Sequence, residues 1–163
     1  MLSAAPRLSI LVPVYNNQAT ISQLLDRLRA ALDGFDYEAV VVNDGSRDGS
    51  LALLKAQAAS DPRLRVISFS RNFGQHPAIA AALEHARGDV LVLMDADLED
   101  RPENIPMLVR ALEEQQCDIV YTTKAEGAVT PRDLSSDAYH HVVGRTIGVT
   151  MPRQLRIEHE GPI

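Results

Sequence analysis

The sequence has few of the features that mark disulfide-rich, nucleic-acid-binding or membrane-spanning proteins. Cys117 is the only cysteine, so there is no disulfide framework and a reducing compartment is the simpler expectation. The 16 Lys and Arg residues are outnumbered by 22 Asp and Glu residues and form no basic stripe, which argues against a nucleic-acid partner. No apolar run approaches the ~20 residues that cross a bilayer, and the first residues lack the apolar core of a signal peptide. These absences favour a globular domain with a cytoplasmic location.

Short apolar runs alternate with segments of helical character along most of the chain, and 45% of the 163 residues are hydrophobic. The apolar runs predict strands at residues 8–13, 37–44, 64–68, 90–94 and 118–121. The intervening segments predict helices at residues 20–34, 51–59, 78–86 and 100–112. Alternation of this kind predicts an α/β fold of three α/β/α layers, with a mostly parallel sheet covered by helices on both faces.

The pattern weakens after Lys124, which suggests a division of the chain. Residues 126–136 look like a loop, residues 137–147 could be a helix, and the tail shows no clear period. We therefore expect a core in residues 1–124 and a separate segment in residues 125–163.

Three local patterns make sharper predictions about this fold. Thr20 and Gln23 have the spacing of a capping box at the start of the first helix. The five apolar residues from Val90 to Met94 are typical of a strand that is buried on both faces. Small residues between Ala78 and Ala86 would let that helix pack closely on the sheet.

Two acids follow the strand at 90–94 directly. Asp95 and Asp97 are two residues apart, so in extended geometry their carboxylates leave the same side of the backbone. Two such carboxylates repel each other unless a cation joins them, and oxygen ligands that share a site with substrate phosphates favour Mg²⁺ or Mn²⁺. The alternative is turn chemistry without a metal, in which Asp95 opens a turn and Asp100 caps a helix.

Four polar loops should meet at one edge of the sheet, because the carboxyl ends of parallel strands lie together and ligands of such sheets bind there. These loops are residues 15–17, 43–48, 70–75 and 95–100. Asp44 could accept hydrogen bonds from a base or a ribose, or it could be an Asx-turn residue. Gly45 would let the backbone approach the ligand. Arg71 could meet a phosphate or form a structural ion pair.

Two common phosphate-binding motifs are missing from these loops. The segment NDGSRDGS has no Gly-Lys-Ser/Thr ending, and no GxGxxG follows the first strand. ATP-binding loops and dinucleotide folds are therefore less favoured.

Five motifs occur in a characteristic order: PVYNN, NDGSRDGS, SRNFGQHPAIAAAL, ARGD and VLVLMDADLEDRPENIP. With these motifs, residues 7–123 resemble the nucleotide-sugar-binding half of family-2 glycosyltransferases with the GT-A fold, a Rossmann-like fold. The likeness is greatest to the polyprenyl-phosphate glycosyltransferases of the dolichyl-phosphate mannose synthase type and their bacterial lipid-glycosylating relatives.

The resemblance implies roles for residues in the first three motifs. Pro13, Tyr15 and Asn16 would line the nucleotide pocket, and Asp44 would bind the base. Arg71 lies in the loop where the family places donor-side contacts.

The resemblance also implies that Asp95 and Asp97 are the DxD pair that binds Mg²⁺ or Mn²⁺, with Asp97 the firmer ligand and Asp95 reaching both ribose and metal. Glu99 stands where the family usually has Gln, and it would be either a third oxygen ligand or an added repulsion near the diphosphate. Asn17 and Asn43 stand where the family usually has acids, which lowers the local negative charge.

The implied activity is inverting transfer of a sugar from a UDP- or GDP-sugar to an acceptor, with polyprenyl phosphate expected, in cell-envelope biosynthesis. Relatives continue with an acceptor-side motif of Gly-Asp-Phe/Tyr type and often with membrane helices, whereas TIGVTMPRQLR supplies no matching acid at that place. The catalytic base is therefore not identified, and residues 125–163 are expected to be a truncated acceptor side. Any association with the inner face of the membrane would then depend on missing regions or on a partner.

Two alternatives remain open. One is a non-catalytic or truncated module that binds a nucleotide sugar and acts with a partner. The other is a nucleotidyltransferase, which shares the layout but needs basic residues in its first loop that PVYNNQ does not supply.

Overall fold

The computed structural model of the protein describes residues 7–124 and 154–159. The first strands and helices alternate as β1 (Leu8–Val14), α1 (Ile21–Ala31), β2 (Tyr37–Asn43), α2 (Ser50–Ser60), β3 (Leu64–Ser68), α3 (Gln75–His85) and β4 (Val90–Leu93). A 3₁₀ turn at Pro102–Asn104 leads into α4 (Ile105–Gln115), and β5 (Ile119–Lys124) and β6 (Gln154–His159) follow.

The chain divides into two compact units, Met1–Pro106 and Met107–Ile163. In the first unit, four strands form a parallel sheet in the order β3-β2-β1-β4. In the second unit, β5 pairs in parallel with β6, with Ile119 opposite Gln154. The division predicted after Lys124 stays a prediction.

The core of the first unit is formed around β1 and β2, in which every residue except Pro13 is buried. Leu11, Val40 and Val42 pack with two alanines of α3, Ala78 and Ala82. The small side chains thus let α3 pack closely on the sheet, as predicted. On α1, the residues at helical spacing are buried, as predicted: Ile21, Leu24, Leu25, Leu28 and the following Leu32.

The prediction that residues 90–94 form a strand buried on both faces is wrong. Strand β4 ends at Leu93, and the side chains of Leu91 and Leu93 are 45% and 52% exposed. The physical reason is position: β4 pairs with β1 alone among the described strands, so it lies at an edge of the four-stranded sheet.

The predicted capping box of α1 and the predicted start of α3 also need correction. Thr20 precedes α1 but makes no side-chain capping bond, because its hydroxyl is used elsewhere. Helix α3 begins at Gln75 rather than near Ala78. Pro77 is compatible with this earlier start, because the first turn of a helix does not use the N–H that proline lacks.

Strand β6 was missed in a tail where the sequence showed no clear period. It is formed by Gln154–His159, and its partner β5 extends to Lys124 rather than ending at Tyr121. The loop and helix predicted for residues 126–147 lie outside the described residues. Within the described part of the chain, no helix has both the length and the apolar character needed to cross a bilayer.

Candidate functional site

An open cleft of about 290 Å³ lies at the carboxyl ends of β1, β2 and β4, beside the start of α3. All four loops expected at this edge contribute to its lining. The lining residues are Pro13, Val14, Tyr15, Asn17, Asp44, Asn72, Gly74, Gln75, Ala78, Asp95, Ala96 and Asp97. Asp44, Asp95 and Asp97 therefore face one cleft, as the topology predicted.

Asp44 is buried at the end of β2, with 3% of its surface exposed. Its Oδ1 accepts a hydrogen bond from the backbone N–H of Phe73 at 2.7 Å, and its Oδ2 accepts one from that of Gly74 at 2.9 Å. Asp44 thus holds the loop before α3 against β2. The Asx-type contact that was the alternative for Asp44 is made by its neighbour, because Asn43 Oδ1 accepts from the N–H of Ser46 at 3.3 Å.

Gly45 permits a close backbone approach, although the approaching chain belongs to the protein itself. Its φ is +63°, and a Cβ placed there would lie 2.2 Å from the carbonyl carbon of Arg71 and 2.5 Å from the nitrogen of Asn72. Both the positive φ and the contact require glycine. The crossing of these two loops therefore shapes one wall of the cleft.

The segment with the two acids is a folded turn rather than an extension of β4. The carboxylate of Asp97 accepts a hydrogen bond from the N–H of Glu99 at 2.9 Å, and Leu98 between them has a φ of 70°. Asp100 accepts from the N–H of Asp95 at 3.0 Å, so its side chain closes the turn. The turn chemistry weighed above is thus present, but Asp97 rather than Asp95 opens it, and Asp100 does not cap a helix.

The carboxylate of Asp95 is electrostatically unfavourable in this turn. Its pKa is raised above the ordinary value, first because the cleft removes part of the surrounding water and then because Asp100 and Asp97 lie nearby. A hydrogen bond from Gln75 Nε2 at 3.0 Å opposes this shift. Glu99 adds a smaller repulsion. The site therefore has an excess of negative charge.

A divalent cation fits this chemistry, since it would relieve the repulsion and the available ligands are all oxygens. Among the described residues, no three His, Cys, Asp or Glu side chains form a group that could hold a metal. Asp95, Asp97 and Glu99 are thus not preassembled as a three-ligand site. Asp95 and Asp97 suit an ion such as Mg²⁺ or Mn²⁺ that keeps several waters and takes other ligands from phosphates.

The predicted residues at the end of β1 and in the loop that follows it differ in their relation to the cleft. Pro13 and Tyr15 line the cleft, and so does Asn17. Asn16 does not line it; its Oδ1 accepts from the N–H of Arg47 at 2.9 Å and its own N–H donates to the hydroxyl of Ser46 at 3.0 Å. Asn16 therefore connects two loops of the rim.

Arg71 lies at the edge of the site rather than in its lining. Its guanidinium stacks on the ring of Phe73, 4.7 Å from the ring centre, and Phe73 is 48% exposed. Among the described residues it forms no ion pair with the acids of the rim. An exposed cation and an exposed ring thus stand together beside the cleft.

Three residues of the site were missed at the sequence level: Thr20, Asn72 and Gln75. Asn72 and Gln75 line the cleft, and the hydroxyl of Thr20 donates to the carbonyl of Ala96 at 2.6 Å. Asn72 and Gln75 lie in the loop 70–75 that was expected at the rim, so their position was a usable signal. Thr20 gave none, because its spacing to Gln23 suggested a cap.

The family follows from the match to a family model. Residues 9–145 match the model of Glycosyl transferase family 2, and the chain belongs to this family. The parallel sheet with its cleft at the carboxyl ends has the GT-A fold of such enzymes.

A curated relative supports this assignment. The undecaprenyl-phosphate 4-deoxy-4-formamido-L-arabinose transferase of Shewanella sediminis is 41% identical over 146 residues, which cover 88% of this chain and 44% of the relative. The chain thus spans less than half the length of that protein.

Two solved structures are similar in fold. The mannosyltransferase PcManGT from Pyrobaculum calidifontis, in complex with GDP-Man and Mn²⁺, has a TM-score of 0.66 and 28% identity, covering 82% of this chain and 39% of that one. S. aureus TarS 1-349 in complex with UDP-GlcNAc has a TM-score of 0.63 and 27% identity, covering 77% and 37%.

Proposed function

We propose that this chain is the donor-binding part of an inverting glycosyltransferase that moves a sugar from a UDP- or GDP-sugar to polyprenyl phosphate. The observation that carries the proposal is the convergence of Asp44, Asp95 and Asp97 on one cleft at the carboxyl ends of parallel strands. The similar structures were solved with GDP-Man and Mn²⁺ or with UDP-GlcNAc, which supports a nucleoside-diphosphate sugar as donor.

The nucleoside would occupy the side of the cleft formed by Pro13, Tyr15 and Asp44. Both oxygens of Asp44 already accept backbone hydrogen bonds, yet each carboxylate oxygen has a second lone pair that can accept from a base N–H. Because Asp44 is held by two bonds, its orientation is fixed before the ligand arrives. Arg71, beside the cleft, would add a charged contact to the donor.

Asp95 and Asp97 would hold Mg²⁺ or Mn²⁺ together with the diphosphate, and Glu99 would add charge at the same turn. When bound, such an ion neutralises the negative charge that grows on the leaving diphosphate. The transferred sugar forms a new bond to the acceptor oxygen while its bond to the diphosphate breaks, with inversion at the anomeric carbon. An acceptor phosphate is already ionised and needs no general base, unlike a hydroxyl.

The acceptor rests on the curated relatives. Undecaprenyl phosphate stands in the name of the relative from S. sediminis and supports a polyprenyl phosphate here. A lipid acceptor would also bring the cleft to the inner face of a membrane, through other regions or a partner.

Isothermal titration calorimetry with UDP and GDP, each with and without Mn²⁺, tests the proposal. We expect one nucleotide to bind more tightly with Mn²⁺, and Asp97→Asn to lower that affinity about tenfold or more, because the isosteric amide removes a charged ligand. Asp26→Asn removes the same charge from an exposed residue paired with Arg29 and is the control. Mn²⁺-dependent binding that survives in Asp97→Asn would contradict the assignment.

A further inference from the structure

The turn that contains Asp95 and Asp97 lies beyond the last bonds that connect β4 to the sheet. The paired residues of β1 and β4 end at Leu11 and Leu93, and the final backbone bond runs from Met94 N–H to the carbonyl of Leu11 at 3.1 Å. The sheet therefore does not by itself fix where the two carboxylates point.

One cross-connection comes from the loop before α1. Thr20 occupies the N-cap position of this helix, where a hydroxyl commonly accepts from the helix's own N–H groups. Here no such bond forms, and Thr20 Oγ1 lies 2.6 Å from the carbonyl of Ala96 and 3.2 Å from that of Asn17. Ala96 is buried and stands between the two acids, so the shorter bond holds the middle of the turn.

A second cross-connection comes from the first turn of α3. The side-chain amide of Gln75 donates to Oδ1 of Asp95 at 3.0 Å. This bond occupies one oxygen of Asp95 and restrains the rotation of its carboxylate. The N-cap residue of α1 and the first turn of α3, both distant in sequence from the turn, thus contact it within the same compact unit.

We propose that Thr20 and Gln75 are positioning residues that hold the turn of Asp95 and Asp97 in the geometry needed for a divalent cation and diphosphate. The inference rests on the proposed function of these two acids. Thr20 acts through the backbone of Ala96 and Gln75 through the carboxylate of Asp95, so neither needs to touch the metal. Loss of either bond should weaken the metal-dependent part of nucleotide binding more than the metal-independent part.

The test compares Thr20→Val with Thr20→Ser. Valine keeps the shape of threonine but lacks the hydroxyl, whereas serine keeps the hydroxyl. The readout is the Mn²⁺ concentration that gives half-maximal binding of UDP or GDP, whichever binds, measured by calorimetry beside affinity without metal and thermal unfolding. We expect Thr20→Val to raise that concentration roughly 3- to 10-fold, the equivalent of one hydrogen bond, and Thr20→Ser to stay near wild type.

Ser60→Ala is the matched control, because Ser60 donates a similar bond to the carbonyl of Gln57 at the end of α2. A purely structural role of Thr20 predicts lower thermal stability with an unchanged Mn²⁺ requirement, and that result would overturn the proposal. Should Thr20→Val not fold, Gln75→Leu decides, since Gln75 is exposed and its loss does not threaten the core. An unchanged Mn²⁺ requirement in Gln75→Leu then overturns the proposal.

Asp97→Asn separates this inference from the function on which it rests. If Asp97→Asn binds like wild type, the proposed function fails. If Asp97→Asn loses Mn²⁺-dependent binding while Thr20→Val and Gln75→Leu keep it, only the positioning role fails.

Discussion

Carboxylates at the two ends of the four-stranded sheet lie in opposite electrostatic surroundings. At the amino end, Asp61 accepts hydrogen bonds from Arg63 at 3.0 Å and from Arg29 at 2.9 Å. These bonds, that from Arg63 foremost, lower the pKa of Asp61 far below its ordinary value against the opposing effect of desolvation. At the carboxyl end, the pKa of Asp95 is raised by desolvation and neighbouring acids.

Glu38 is a second acid at the amino end of the sheet whose carboxylate is held by hydrogen bonds. It is 2% exposed, and burial raises its pKa, but hydrogen bonds from Ser9, Arg65 and the N–H of Arg87 lower it by more. The same network includes a bond from the N–H of Gly88 to the hydroxyl of Ser9 at 2.8 Å. Through it, β1, β2 and β3 are joined to the segment that leads into β4.

The acids at the two ends of the sheet differ in their effect on stability and in their proposed function. Acids that are paired with arginines contribute to the folded state, whereas acids held near one another without a cationic partner reduce its stability. A site that keeps such acids is prepared for a cation from outside the protein. The acids at the amino end of the sheet therefore stabilise the fold, and those at the carboxyl end belong to the proposed ligand site.

The largest expected effect is at the amino end. Glu38→Ala should lower the free energy of unfolding by about 3 kcal/mol, because it removes the acceptor of the buried Ser9 hydroxyl, the charged partner of Arg65 and one acceptor of the Arg87 N–H. Chemical denaturation measures this change. Glu84→Ala, an exposed acid of α3, is the control and should stay within about 0.5 kcal/mol of wild type. Equal stability of both variants would contradict the role of the network.

A substitution at Gly45, where two loops form a wall of the cleft, should lower the free energy of unfolding nearly as much. Gly45→Ala is expected to cost about 2 kcal/mol or more, because its φ is +63° and the new Cβ would collide with the backbone of Arg71 and Asn72. Denaturation and nucleotide titration should change together, since the shifted loop lines the cleft. Gly34→Ala, also at positive φ but with no atom within 4 Å of its Cβ, separates strain from collision and should cost less.

The contribution of Asp61, at the amino end of the sheet, to folding stability depends on pH. Its folded pKa is lowered, so its stabilising contribution is complete above the ordinary pKa of an aspartate and is lost as pH falls toward the folded value. Asp61→Asn should therefore be less stable than wild type by about 1–2 kcal/mol at pH 7. The difference should shrink below about pH 4. A difference independent of pH would show that the ion pairs do not stabilise the fold.

The smallest expected effect on the free energy of unfolding is an increase rather than a decrease. Asp95→Asn should raise the free energy of unfolding by a few tenths of a kcal/mol, because it removes a repelled and partly exposed charge while Oδ1 can still accept from Gln75. The same variant should lose Mn²⁺-dependent nucleotide binding. Lower stability in Asp95→Asn would mean that this charge is already compensated within the protein.

The sequence predicted the structure correctly where the local residue pattern matches the environment of those residues in the fold. The four parallel strands, the alternation with helices and the gathering of Asp44, Asp95 and Asp97 at one edge were all predicted. Each follows from apolar periodicity and from the rule that polar loops follow the carboxyl ends of parallel strands. The fold could be predicted because many residues along the chain indicate the same arrangement of strands and helices.

The sequence was a poor guide where contacts between residues distant in sequence determine the structure. Leu91 and Leu93 look like core residues, but β4 lies at an edge, and strand order is not encoded in the strand itself. Thr20 has the spacing of a cap, yet its hydroxyl is bound by a carbonyl 76 positions away. For Asp44 the alternative of an Asx-turn residue stayed open from the sequence, and its carboxylate instead accepts from backbone N–H groups about 30 positions away.

The most direct test of the contrast is a crystal of the protein grown with Mn²⁺ and the nucleotide that binds, measured at a wavelength where manganese scatters anomalously. We expect one strong anomalous peak beside the carboxylates of Asp95 and Asp97 and next to the diphosphate, with none at the paired acids Glu38 and Asp61. A nucleotide in the cleft with no manganese near Asp95 and Asp97, or manganese at the amino end of the sheet, would contradict the account.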